Sequence, residues 1–167
     1  MKKGFTLIEI MVIMGIMGVI GVAVASIFLT TSKSTMKTKV INDLKQQGDS
    51  AMSIMEKIIR SAGSIENMAT VCNGAARQDL TIYDLGNNSA RFYCDDSADR
   101  IASQAATTNY LIADDEVEID CSNFITCNLT GGNPEVTIRF SLTKGDSANP
   151  DNQATVEFKS TVVPRNF

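Results

Sequence analysis

Glu9 is a lone carboxylate at the head of an apolar run. From Ile10 to Leu29 there are twenty residues without a charge, enough to cross a hydrocarbon layer of ~30 Å as a helix. An ionised carboxyl near such a layer costs a few kcal/mol even on lenient scales, so it marks a functional site and calls for a cationic partner. The preceding residues supply one. Met1-Lys2-Lys3-Gly4 is a short positive leader that ends in glycine. A cut after Gly4 would leave a positive α-amino group on Phe5, four residues from Glu9.

Composition narrows the remaining chemistry. The 167-residue chain has 15 Lys and Arg against 19 Asp and Glu, a net charge of −4. Loss of Lys2 and Lys3 makes the balance more acidic still, so bulk charge does not favour nucleic acid as a partner. Lys33, Lys37, Lys39 and Lys45 cluster after the apolar run and read as a solvated helix face near lipid headgroups. There is no histidine, which removes the commonest general base and metal ligand. No enzyme is expected, and no cofactor.

Four cysteines, Cys72, Cys94, Cys121 and Cys127, all follow the apolar run. An even count in an exported domain reads as two disulfides, with three possible pairings. The expected pairing is Cys72–Cys94 with Cys121–Cys127. Zinc is the weaker reading, because five residues separate the last two cysteines and no histidine assists. The acidic groups Asp95-Asp96 with Asp99, Asp114-Asp115-Glu116, and Asp146 with Asp151 invite a calcium reading. Asp146 and Asp151 are the weak candidates in a loop rich in Gly, Asp, Asn and Pro. Their spacing fits no EF-hand, and acids in turns have backbone reasons of their own.

The elements that must position these groups follow from periodicity. Val40, Ile41, Leu44, Ala51, Ile54, Met55, Ile58 and Ile59 recur every three or four residues and make one apolar helix stripe. No proline interrupts residues 5–62, and Gly63 ends the pattern. One helix from about Phe5 to Ala62 is expected, ~85 Å long. Beyond Cys72 the period shifts to two. Residues 79–83 and 90–94 read as strands around the hairpin signal Gly86-Asn87-Asn88. Shorter strands are expected at 110–112 and 117–119. Residues 135–142 and 154–162 alternate cleanly and should pair antiparallel. The expected class is α+β, with an antiparallel sheet covering the helix stripe.

Lys3-Gly4-Phe5-Thr6-Leu7-Ile8-Glu9 before a long apolar stretch resembles the class III signal of type IV prepilins and type II secretion pseudopilins. The resemblance covers roughly the first thirty residues. It implies a type IV pilin-like fold and a prepilin peptidase that cuts between Gly4 and Phe5 and N-methylates Phe5. It implies that Glu9 pairs with a neighbouring subunit's Phe5 amine during assembly. The implied partners are other pilin or pseudopilin subunits, the peptidase, an inner-membrane assembly platform and membrane lipid. The implied organisation is a cleaved leader (1–4), a transmembrane assembly helix (5–30), its amphipathic half (31–62) and a disulfide-containing β-rich domain (63–167). The implied location is single-pass, with the N-terminus cytoplasmic and the domain outside, then a pilus or periplasmic filament. The proline-free anchor and the tail Phe158 to Val162 with Arg165-Asn166 resemble minor pilins or J- and W-type pseudopilins. Two rivals stand beside this reading. One is a membrane-anchored adhesin or DNA-uptake binding subunit. The other is a secreted protein cut after Ala25, where Ala23-Val24-Ala25 has the small-x-small form.

Overall fold

The computed structural model describes residues 6–95, 97–145 and 153–165. Its first element is a 54-residue helix, α1 (Leu7–Arg60), about 80 Å long at 1.5 Å per residue. Thr6 caps it in an extended conformation, and Ser61 closes it with its backbone N–H on the last-turn carbonyls. The expected helix is therefore present, two residues shorter at each end. Its two halves differ in surroundings. Residues 6–30 are exposed throughout, whereas Leu44, Gly48, Ala51, Met52, Met55 and Ile59 are buried.

The rest of the chain builds two antiparallel sheets, not the single sheet expected. The elements are β1 (Ser64–Ile65), the short helix α2 (Met68–Val71), β2 (Asn73–Arg77), β3 (Asp79–Tyr83), β4 (Ser89–Asp95), β5 (Arg100–Gln104), β6 (Thr108–Ile112), β7 (Val117–Asp120), β8 (Ile125–Thr130), β9 (Asn133–Lys144) and β10 (Ala154–Val162). One sheet has the order β1-β3-β4-β5-β6. The other runs β10-β9-β8-β2, with β7 also on β9. The twelve residues of β9 organise the second sheet. One edge pairs with all of β10, with Phe158 opposite Phe140, and the other pairs with β8 along its first half and β7 along its second.

The β3–β4 hairpin forms where its turn chemistry indicated, with Asp79 opposite Tyr93. The Asp84 carboxylate accepts from the backbone N–H groups of Gly86 and Asn88, both at 2.8 Å, and Asn87 takes a positive φ of 61°.

The buried stripe of α1 packs on both sheets in one core with Leu80, Ile82, Phe92, Ile101, Ile112, Phe124, Ile138, Phe140 and Leu142. The Phe158 ring lies directly over Gly48, where a Cβ would overlap its Cζ and Cε atoms. Phe158 in turn stacks on Phe140 at 5.1 Å between centroids. Glycine weakens a helix by about 1 kcal/mol relative to alanine. Here it allows an aromatic ring to reach the helix backbone.

The disulfides correct the expected pairing. Cys72 bonds Cys127, with Cα atoms 4.2 Å apart, and Cys94 bonds Cys121, at 6.1 Å. Cys72–Cys94 and Cys121–Cys127 do not form. The reason is topological: β2 joins β8 in the second sheet, with Asn73 opposite Asn128, so Cys72 arrives beside Cys127 and away from the β3–β4 hairpin. Cys94, on β4 of the first sheet, meets Cys121 just after β7 of the second. One disulfide thus closes an edge within a sheet, and the other ties the two sheets together.

Candidate functional site

The site begins at the helix N-terminus. Thr6 is the N-cap, and its hydroxyl accepts from the Glu9 backbone N–H at 3.4 Å. Thr6-Leu7-Ile8-Glu9 has the spacing of a capping box, in which a Ser or Thr cap is followed three residues later by Glu or Gln. Glu9 also lies in the first turn, where a carboxylate interacts favourably with the positive end of the helix dipole. The expectations for this region had given Thr6 no capping role. The signal that would have found it is the Ser/Thr-x-x-Glu pattern in front of an apolar run. Gly4 and Phe5 lie outside the described residues.

Beyond Glu9 the helix offers a bare apolar surface. Leu7, Ile8, Met11, Met14, Val19, Val22 and Phe28 are each at least 66% exposed. This helix is long and apolar enough to cross a membrane. Gly15, Gly18 and Gly21 have open space where a side chain would stand. No contact among the described residues explains them, and small residues on a membrane helix let another helix approach closely.

The acidic groups resolve into turns and one clamp. Asp95, Asp114 and Asp120 each accept from the backbone N–H two residues ahead, at 2.9–3.0 Å, the side-chain turn such residues favour. Asp84 does the same in the hairpin. The clamp surrounds Lys144, whose Nζ lies 3.0 Å from Asp114, 3.2 Å from Glu116 and 3.6 Å from Asp43 of α1. Gln47 of α1 donates to Asp114 at 3.3 Å. The backbone N–H of Glu116, then the Lys144 ammonium, hold the Asp114 carboxyl below its ordinary value. The hydrogen bond to Asp114, with Glu116 assisting, pushes Lys144 up. A lysine thus sits between Asp114 and Glu116, where a cation reading would have placed an ion, while Asp115 points to Arg100 instead. Asp146 and Asp151 lie outside the described residues. Among the described residues no three His, Cys, Asp or Glu side chains are grouped to hold a metal.

Polar contacts at the far end complete the docking of α1. Ser160 donates to Glu56, and the Arg165 backbone N–H donates to the Arg60 carbonyl at 3.2 Å. On the outer face of the second sheet, a depression of about 300 Å³ is lined by Asp120, Ser122, Arg139 and Glu157. Its Arg139 is already engaged, with Nε 2.6 Å from Glu157. The arrangement leaves an exposed apolar surface on α1, held at a fixed attitude to a cross-linked β domain.

Residues 1–29 match the family model of the prokaryotic N-terminal methylation motif. No curated protein and no solved structure matches the chain. The N-terminus is therefore a class III signal of the type IV prepilin and pseudopilin kind, carried on an α+β, type IV pilin-like architecture.

Proposed function

We propose that the chain is a structural subunit, a minor pilin or pseudopilin, of a type IV pilus-like or type II secretion filament. A prepilin peptidase cuts it between Gly4 and Phe5 and methylates Phe5. The subunit then assembles through α1, with Glu9 paired to the Phe5 amine of a neighbour. The observation that carries this reading is the exposed apolar half of α1 with one carboxylate at its capped start, within the N-terminal methylation motif. Such a surface needs lipid before assembly and other helices after it.

Charge gives the cut a physical purpose. Before cleavage the trailing end carries the Met1 amine, Lys2, Lys3 and Glu9, a net charge of +2. After cleavage it carries one amine and one carboxylate, which sum to zero. Moving a positive charge outward against 100 mV costs about 2.3 kcal/mol, besides its desolvation. A neutral end is therefore about 5 kcal/mol cheaper to draw out of the membrane into a filament. Inside that filament each charge finds its opposite in the adjacent copy, as burial requires.

Two variants separate this role from simple capping. Glu9→Gln keeps a residue suited to the capping box but removes the charge, whereas Glu9→Ala removes both. Both should insert in the membrane, be cut before Phe5 and fail to enter filaments. Subunit in sheared filaments is measured against subunit left in membranes. Normal incorporation of Glu9→Gln would overturn the ion pair and leave capping as the role of Glu9. A mature N-terminus at Ser26 would remove the filament reading altogether.

A further inference from the structure

We propose that Lys33, Lys37 and Lys39 form a collar that binds anionic lipid headgroups on the leaflet from which the domain emerges. The proposal rests on the reading of α1 as a membrane anchor. The apolar run ends at Leu29, and the first residue of α1 tucked against the domain is Val40, apart from half-buried Ser32. Between them residues 30–39 continue the helix for ~15 Å. They carry three lysines and no acid. Lys33 and Lys37 are four residues apart and share a face. Lys39 lies roughly on the opposite side, at 3.6 residues per turn.

Their heights match a headgroup layer. Lys33, Lys37 and Lys39 stand about 6, 12 and 15 Å beyond Leu29 along the axis. Lysine stems can bend back to a membrane surface, and the Debye length adds about 8 Å at physiological salt. Among the described residues neither Lys37 nor Lys39 has an ion-pair partner. Three of the stalk's hydroxyls are turned back on the helix. Thr30, Thr35 and Thr38 each donate to the carbonyl four residues back, at 2.9 Å. Lys37 and Lys39 are therefore cationic groups that this stalk turns outward. Asp43, Asp114 and Glu116 are gathered around Lys144, so these three described acids are engaged away from Lys37 and Lys39. Phosphates of a lipid surface fit this set: fixed in one plane, numerous and negative.

The test uses the full chain in phosphatidylcholine vesicles with and without phosphatidylglycerol. Spin-labelled forms of each lipid report how much of each is immobilised at the protein. The unmodified chain should select phosphatidylglycerol several-fold at low salt and lose that preference as salt rises. A lysine near a membrane surface contributes about fivefold at most. Lys37→Gln/Lys39→Gln should therefore lose most of the preference while immobilising the same total lipid. Equal association of the two lipids with the unmodified chain would overturn the proposal, as would full selectivity in the double variant. The readout needs neither cleavage nor assembly, so its failure leaves the filament reading standing. A chain that immobilises no lipid of either kind would defeat the anchor and the collar together.

Discussion

Gly48→Ala tests how the helix is locked to the sheets. On an exposed helix this change stabilises by about 1 kcal/mol. Here the added methyl would overlap three atoms of the Phe158 ring, so the ring has to move. Phe158 sits against Phe140, and Phe140 meets Phe124 at 6.3 Å, so movement spreads into the core. Overpacking of a dense core costs about 1–3 kcal/mol, and the disturbed stack forfeits up to about 1 kcal/mol more. The balance is a net loss of about 2 kcal/mol. Urea unfolding of the full chain in detergent micelles, with disulfides intact, reads it as a lower midpoint at unchanged slope. Phe158→Leu, which replaces the ring with a smaller flexible side chain, should cost less in the Gly48→Ala background than in the unmodified chain. A raised midpoint for Gly48→Ala, or strict additivity of the two changes, would refute the packing argument.

Other perturbations address the clamp and the cross-links. Lys144→Met leaves Asp114, Glu116 and Asp43 without their shared cation and should cost about 1–2 kcal/mol at neutral pH, after allowance for partial exposure. The Asp114 carboxyl is held low, so its contribution is complete above about pH 4 and is lost as pH falls through the lower folded value. Lys144 is held high, so its share persists below about pH 10 and is lost as pH rises through its folded value. The unmodified chain should therefore show an acid arm in its urea midpoints that Lys144→Met flattens; identical arms would show that the clamp contributes nothing. Peptide mapping without reduction should recover Cys72 linked to Cys127 and Cys94 linked to Cys121. Cys94→Ala/Cys121→Ala opens a 27-residue separation, a loss of up to about 3.5 kcal/mol on chain entropy, against about 4 kcal/mol for the 55 residues between Cys72 and Cys127. A recovered Cys72–Cys94 peptide would refute the two-sheet topology.

The parts of the fold governed by local rules were legible in the sequence. The α1 stripe, the β3–β4 hairpin and the β9–β10 pair each show their period in their own residues. Strand β2 escaped because its position depends on a distant partner, β8, whereas β5 and β8 pair with sequence neighbours and were missed despite local partners. β2, Asn-Gly-Ala-Ala-Arg, is largely exposed and has no alternation to read; its ladder to β8 and the Cys72–Cys127 bond hold it. The disulfide pairing failed for the same reason, since it presumed that sequence neighbours share a sheet. Glu9 stood out in the sequence because it violates the rule for apolar runs, and the structure places it in the first turn of α1. The Lys144 clamp did not stand out, because it gathers groups from α1, the turn before β7 and β9.

The two halves of α1 are mechanically one object. Neither proline nor a break separates Glu9 from Gly48. The core sets the rotation of the helix at Gly48, where only one azimuth admits the Phe158 ring. At 100° per residue, the 39 residues back to Glu9 place that carboxylate about 60° around the axis from Gly48, near the face that carries the domain. A helix free to rotate on its sheets would present Glu9 in many directions, and pairing with an amine would then carry the entropy of choosing one. The glycine that weakens the helix locally thus helps orient the charge at its far end. The clamp at Lys144 and the contacts at Ser160 and Arg165 hold the same rotation at two further levels, so the β domain serves the anchor as a fixed handle.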